Sequence, residues 1–155
     1  MFNHYKIQQE KMKNQDFNCS ITTNVTAEEA MAAISRVPDW WVTDFEGASQ
    51  KLGDVFTARV GETFVTFNIT EFIPNTKFVW TVINCYFPWL KDKTEWAGTK
   101  VIFEVSNENN LTTINLTHIG LVPQNEGYDN FVKGWRVYIQ GSLMKLLNEG
   151  IGQPT

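Results

Sequence analysis

The longest periodic hydrophobic stretch of the chain runs from Gly127 to Gly150. At 100° per residue its apolar and aromatic side chains share one arc, whereas Lys133, Gln140 and Met144 fall on the opposite side. The stretch therefore predicts a long amphipathic helix with an unusually aromatic face. That face comprises Tyr128, Phe131, Val132, Trp135, Tyr138, Ile139, Ser142, Leu143 and Leu146.

Earlier segments alternate between hydrophobic and polar residues, which is the pattern of strands with one buried face. The first such segment covers residues 17–23. Short turns at residues 61–62 and 107–110 are expected to join later strands into hairpins. The later predicted strands cover residues 55–60, 63–72, 77–85, 98–106 and 111–119.

A short helix is predicted between the first strand and the others. Thr26 and Glu29 have the spacing of a capping box, and the helix then covers residues 27–36, ending before Pro38. Residues 39–41 predict a turn or a second helical turn, which places two tryptophan rings at a corner.

This order of elements predicts the α+β class, with the helices on one face of an antiparallel sheet. The 155 residues are enough for a single domain with a substantial core. We expect that domain to cover residues 16–155, with residues 1–15 as a polar extension outside the core. A sheet that curves around a long helix leaves a cavity wherever the facing side chains do not fill the space.

Composition and charge exclude several classes of function. The net charge is −4 and the basic residues are scattered, which is unlike a nucleic-acid-binding surface. The apolar runs are shorter than the ~20 residues of a membrane span, and the N-terminal residues lack the apolar centre of a secretory signal. We therefore expect a cytoplasmic protein in which Cys19 and Cys85 are free thiols, and we expect no metal or other cofactor.

The candidate site residues are mostly aromatic. Eleven Phe, six Trp and four Tyr indicate either a large core or a pocket walled by rings. His118 is either a structural histidine or a base that faces the cavity. Gly134 and Gly141 either allow close contact between helix and sheet or leave space for a ligand. The predicted ligand-contacting residues are Trp41, Phe67, Trp80, Phe103, His118, Phe131, Trp135 and Tyr138.

Three segments resemble the START-like (birch-pollen-allergen-like) superfamily, in the branch similar to the C-terminal domain of the activator of heat-shock protein 90 ATPase. They are NVTAEEAMAAISRVPDWW at 24–41, LGDVFTARVGETFVTFNITEFIPNTKFVWTV at 52–82, and THIGL at 117–121 followed by GWRVYIQGSLMKLLNEG at 134–150. The resemblance covers residues 17–150. The aromatic-rich loop between Tyr86 and Trp96 is distinctive.

The resemblance implies a helix-grip fold. In that fold a curved antiparallel sheet of about six or seven strands wraps around a long C-terminal helix, with short helices near the N-terminus. It also implies a cavity for a hydrophobic ligand. Members of the superfamily carry lipids, cyclise polyketides, assist chaperones or act in stress responses, so the fold does not distinguish among these functions.

Three functions follow as hypotheses. The first is non-catalytic binding of a small hydrophobic or aromatic ligand between the sheet and the last helix. The second is a cyclase or aromatase in which His118 is the acid/base and Tyr138 orients a carbonyl or enolate. The third is an interaction module whose partner is a chaperone or a second copy. It is motivated by the resemblance to a chaperone activator and by Val137 and Met144 on the polar side of the helix. No catalytic motif supports the second hypothesis from the sequence.

Overall fold

The computed structural model describes residues 15–155, so residues 1–14 of the predicted extension lie outside the described part of the chain. Seven antiparallel strands form one sheet in the order β1-β7-β6-β5-β4-β3-β2. Their bounds are β1 Phe17–Thr23, β2 Asp44–Gly47, β3 Val55–Val60, β4 Thr63–Ile73, β5 Lys77–Tyr86, β6 Lys100–Glu108 and β7 Leu111–Ile119.

The helices are α1 (Ala27–Ser35), α2 (Val37–Trp40), α3 (Tyr128–Arg136) and α4 (Met144–Glu149), and a π-helical segment (Val137–Leu143) connects α3 to α4. Helical dihedral angles continue through both junctions. The last three elements therefore form one continuous helix, here called the C-terminal helix. The predicted α+β helix-grip fold is confirmed.

Local chemistry explains several features of the sheet. In β1 the side chains alternate strictly between buried and exposed, as the sequence pattern predicts. The hairpin from β3 to β4 turns through two residues, the first of which, Gly61, has φ of +58°. Register shifts between Thr66 and Phe67 and between Ile69 and Glu71 interrupt the pairing of β4 with β5. Such irregularities bend a strand, which helps the sheet to curve around the helix.

Strand β2 is absent from the prediction. Phe45 is the only apolar side chain among its four residues, which is too little for an alternating pattern. Pairing with β3 at the edge of the sheet creates this strand. It ends at Gly47, whose φ of +101° and close approach to the Val55 carbonyl oxygen exclude any side chain.

The C-terminal helix lies against the concave face of the sheet and turns its aromatic arc toward it, with Tyr128, Phe131 and Tyr138 partly buried. Trp135, Ile139 and Leu143 are almost completely buried, whereas Lys133 is exposed. Met144, which the periodicity places opposite the buried arc, is half-buried instead. The π-helical segment explains the difference, because its wider i→i+5 turns change the rotation per residue. No helix within residues 15–155 is long and apolar enough to cross a membrane.

The start of α1 provides a test of the local folding rules. The hydroxyl of Thr26 accepts a hydrogen bond from the Glu29 amide at 3.1 Å, and Glu29 Oε1 accepts one from the Thr26 amide at 3.5 Å. We expect Thr26→Ala to lower the free energy of unfolding by about 1 kcal/mol, since one helix-terminal amide loses its acceptor. Urea unfolding measures the change. Thr26→Ser keeps the hydroxyl, and its free energy of unfolding should remain within a few tenths of a kcal/mol of wild type. An equal loss in both variants would contradict the capping role.

Candidate functional site

A cavity of about 260 Å³ lies between the C-terminal helix and the β3–β4 side of the sheet. Four residues of its wall come from the predicted set: Trp41, Phe131, Trp135 and Tyr138. Trp41 follows α2, at the corner predicted from the sequence, and the other three lie on the C-terminal helix. The fold therefore brings two distant parts of the chain to one cavity.

The chemistry of the wall is largely apolar and carries no charge. Among the described residues, no Asp, Glu, Lys or Arg side chain lines the cavity. Besides the indole N–H groups of its tryptophans, its polar side chains are those of Thr63, Asn130 and Tyr138. Val60 and Trp89 also line it, and their exposed fractions are 46% and 47%. The cavity therefore opens to solvent beside these two residues.

Three other predicted residues, Phe67, Trp80 and Phe103, do not line the cavity. All three are completely buried. The Trp80 ring stacks on Trp41 at 6.4 Å between centroids, and the Phe67 ring lies 5.8 Å from that of Trp41. Phe103 in turn lies 4.7 Å from Trp80. They support the Trp41 wall from behind, and ligand contact by any predicted residue stays a prediction.

His118, the remaining predicted residue, is also completely buried and is not part of the wall. The indole Nε1 of Trp135 donates a hydrogen bond to His118 Nδ1 at 3.1 Å. The neutral imidazole therefore carries its proton on Nε2, which lies 2.9 Å from the hydroxyl oxygen of Thr99. That hydroxyl donates to the carbonyl oxygen of Trp96 at 2.7 Å. Both ring nitrogens thus have protein partners.

Burial lowers the pKa of His118 from 6.5 to about 3. The cause is the loss of solvation that the charged ring would suffer in this apolar surrounding. The hydrogen bond from Trp135 favours the same state, because protonated Nδ1 cannot accept it. His118 is therefore neutral at physiological pH.

The loop between β5 and β6 contributes three further aromatic wall residues, Phe87, Trp89 and Trp96. The Trp96 ring is parallel to that of Trp135, with 6.1 Å between centroids and 8° between planes. Trp89 lies 5.2 Å from Phe131. The predicted set omits these three residues, although residues 85–97 hold four aromatic side chains, and loops of this length are often functional.

Two reciprocal hydrogen bonds hold this loop in place. Glu126 Oε1 accepts from the Lys91 amide at 2.9 Å, and Glu95 Oε1 accepts from the Glu126 amide at 2.9 Å. The loop is thereby tied to the segment that leads into the C-terminal helix. The aromatic rings of loop and helix then meet as one wall.

Gly134 lies in the wall, on the C-terminal helix. A Cβ atom placed there would meet no atom within 4 Å, and the same is true of Gly141. Close contact between helix and sheet therefore does not require glycine at either position. At Gly134 the missing side chain leaves room in the cavity.

The two cysteines are not reactive thiols. Cys19 and Cys85 are buried free thiols, and burial raises the pKa of Cys19 to about 11 and also raises that of Cys85. Raised values keep both thiols protonated and poorly nucleophilic. Residues 15–155 contain no group of three His, Cys, Asp or Glu side chains with the geometry of a metal site.

No protein-family model matches the sequence, and comparison with curated proteins gives no sequence match. Solved structures do match. The solution structure of the Aha1 dimer from Colwellia psychrerythraea is 22% identical, with a TM-score of 0.71 over 88% of this chain and 98% of that one. Protein SSP2350 from Staphylococcus saprophyticus is 17% identical, with a TM-score of 0.66 over 89% and 95% of the two chains.

A third match is the crystal structure of DynU16, a putative protein of the dynemicin biosynthetic locus. It is 14% identical, with a TM-score of 0.66 over 89% of this chain and 49% of that one, so this chain spans about half of its length. At these identities the similarity concerns the fold alone. The chain shares the helix-grip fold of these proteins.

Proposed function

We propose that the protein binds a small, neutral aromatic molecule in the cavity without catalysing a reaction on it. The observation that supports this proposal is a solvent-connected wall of aromatic rings to which residues 15–155 contribute no charged side chain. Rings on the wall offer flat surfaces for stacking, and aromatic pairs contribute about 0.5–1.5 kcal/mol beyond the burial of their area.

The absence of charge from the described wall selects against ionised ligands. A carboxylate or ammonium group that entered would lose its hydration and gain no opposite charge. Neutral polar atoms are different, because Thr63 and Asn130 provide hydrogen-bonding groups at the wall. The ligand is therefore a mainly apolar molecule with few neutral polar atoms.

The volume of the cavity limits the size of the enclosed part. A cavity of about 150 Å³ lined by apolar side chains holds benzene. By proportion, 260 Å³ encloses about ten non-hydrogen atoms, which corresponds to a bicyclic aromatic ring. A larger molecule would extend through the opening beside Trp89.

Naphthol and naphthoate form a matched pair of probes, since they share a bicyclic ring and differ in charge at neutral pH. We expect naphthol to bind with a dissociation constant in the micromolar range and naphthoate at least tenfold more weakly. Calorimetry measures both, and quenching of the wall tryptophans reports on the place of binding. Failure of naphthol to bind, or equal binding of the two probes, would contradict the proposal.

Gly134→Ala places a methyl group inside the cavity, and Gly141→Ala provides a matched control in the same helix. Each change should raise the free energy of unfolding by about 0.5–1 kcal/mol, because alanine favours a helix over glycine. Only Gly134→Ala should weaken naphthol binding, by about tenfold, since only that methyl competes for the enclosed volume. If both variants bind naphthol like wild type, the ligand does not occupy this cavity.

The geometry does not favour the cyclase or aromatase hypothesis. A general acid/base must reach the proton that it transfers. Both nitrogens of His118 already have protein partners, and Trp135 stands between its ring and the cavity. A group whose pKa is about 3 is also poorly matched to proton transfer near neutral pH. The arrangement supports a structural histidine.

The neutral state of His118 makes stability depend on pH. Its lowered pKa means that the unfolded chain takes up a proton below about pH 6.5 while the folded protein does not, so stability is lost as the pH falls. Between pH 7 and pH 5 we expect this group to lower the free energy of unfolding by about 2 kcal/mol. Urea unfolding of wild type and of His118→Gln at both pH values isolates the effect, because the other histidine of the chain, His4, is present in both proteins.

A second measurement does not depend on the stability of the variant. The imidazole resonance of His118, followed by NMR, should keep the shift of a neutral ring down to pH 4. A midpoint near pH 6.5 would contradict the buried, hydrogen-bonded state.

Self-association is the second candidate function, since the solution structure of Aha1 is that of a dimer. Val137 on the C-terminal helix is 59% exposed and offers an apolar contact. Sedimentation at increasing concentration tests for a dimer, and Val137→Glu should dissociate one that uses this surface. The same structural match supports the finer proposal that the protein belongs to the chaperone-activator branch and binds a chaperone in the cytoplasm. Stimulation of a chaperone ATPase by the purified protein tests this proposal.

A further inference from the structure

Residues 151–155, here called the strap, run from the end of the C-terminal helix back to the turn that carries Trp41. The Thr155 amide donates a hydrogen bond to the carbonyl oxygen of Trp41 at 2.8 Å. The Thr43 amide donates to the carbonyl oxygen of Thr155 at 3.0 Å. Thr155 thus bonds to residues on both sides of Val42, which is the hydrogen-bond pattern of adjacent parallel strands.

The same strap is also attached to the C-terminal helix. The amide of Gln153 donates to the hydroxyl oxygen of Ser142 at 2.7 Å, and Ser142 is only 2% exposed. The hydroxyl groups of Thr155 and Tyr138 share a hydrogen bond of 2.7 Å. Ser142 and Tyr138 both belong to the π-helical segment.

Gly152 shows that this arrangement is tight. A Cβ atom at this position would collide with the carbonyl oxygen of Asp39 and lie 3.2 Å from the carbonyl oxygen of Ser142. The strap therefore passes through a space in which only glycine fits. Any side chain at position 152 must push it away from the Trp41 turn or the helix.

The two partners of Thr155 are both walls of the cavity. Trp41 and Tyr138 line it, and their rings are in contact at 6.2 Å between centroids, with Trp135 5.2 Å from Trp41. The backbone of Thr155 holds the Trp41 turn while its side chain holds the hydroxyl of Tyr138. One residue thus connects two walls that come from different elements.

We propose that Thr155 is a positioning residue for the cavity: by holding Trp41 and Tyr138 together, it slows the escape of the bound ligand. This inference rests on the proposed binding function. When the hydroxyl contact is lost, the ring of Tyr138 keeps its place on the helix but loses its tether to the Trp41 turn. The two walls then separate more easily, and the ligand dissociates faster.

A double-mutant cycle tests the connection. Thr155→Val removes the hydroxyl and keeps the shape, and Tyr138→Phe removes its partner. We expect each single variant to raise the dissociation rate of naphthol about threefold to tenfold, as for one hydrogen bond, and the double variant to be no faster than the faster single variant. Thr155→Ser should restore the wild-type rate. An unchanged rate in Thr155→Val, or additive effects, would overturn the proposal.

Releasing the whole strap is the stronger perturbation. Gly152→Ala should raise the dissociation rate at least as much as Thr155→Val and speed the hydrogen exchange of the Thr43 and Thr155 amides. Ile151→Ala is the matched control, because Ile151 is 70% exposed and lies outside the cavity wall. It should leave both rates unchanged. Fast amide exchange in Gly152→Ala with wild-type naphthol dissociation would show that the strap does not position the cavity.

A measurement without ligand separates this inference from the proposed function. In protein labelled with fluorotryptophan, the fluorine resonance of Trp41 is assigned from Trp41→Phe. We expect it to shift or broaden in Gly152→Ala and to stay unchanged in Ile151→Ala. If naphthol fails to bind while this shift occurs, the binding function is wrong and the positioning role stands. If the resonance is unchanged in Gly152→Ala, the positioning role is overturned.

Discussion

The hydrogen bond from Trp135 to His118 is the interaction on which the cavity depends. It joins the C-terminal helix to β7. The other imidazole nitrogen, Nε2, bonds to the Thr99 hydroxyl, which donates to the carbonyl oxygen of Trp96. One neutral ring therefore orients the indole of Trp135 and holds the backbone of Trp96, whose ring lies parallel to that of Trp135 in the wall. Removing the imidazole would leave a buried indole donor without a partner, which costs about 1–3 kcal/mol and would free the rings to fill the cavity.

The cavity persists because its walls are rigid and are supported from behind. Aromatic side chains have few torsions, and Trp41 rests on the fully buried rings of Phe67 and Trp80. On the helix side Gly134 contributes no side chain at all. An unfilled apolar space lowers stability, and a ligand that fills it without distorting the walls returns that stability by mass action. The same rigidity that prevents collapse therefore favours binding.

Elements whose buried face follows from local periodicity were predictable. The bounds of β1, β3 and β7 match the sequence pattern, and Thr26 caps α1 as its spacing indicates. Strand β2 was missed because pairing at the sheet edge, rather than its own alternation, creates it. The π-helical segment was missed because 100° periodicity assumes a regular α-helix, and Met144 is consequently half-buried.

By itself, the sequence determined the fold class and the aromatic face of the last helix, because these depend on residue type and spacing. It also indicated four residues of the cavity wall, three of which lie on that helix. Only the tertiary structure decided which rings line the cavity and which stand behind it. Both kinds are large and apolar, so Trp80 and Trp135 look alike in the sequence. Their difference arises from contacts between distant segments, as do the neutral state of His118 and the attachment of Thr155 to Tyr138.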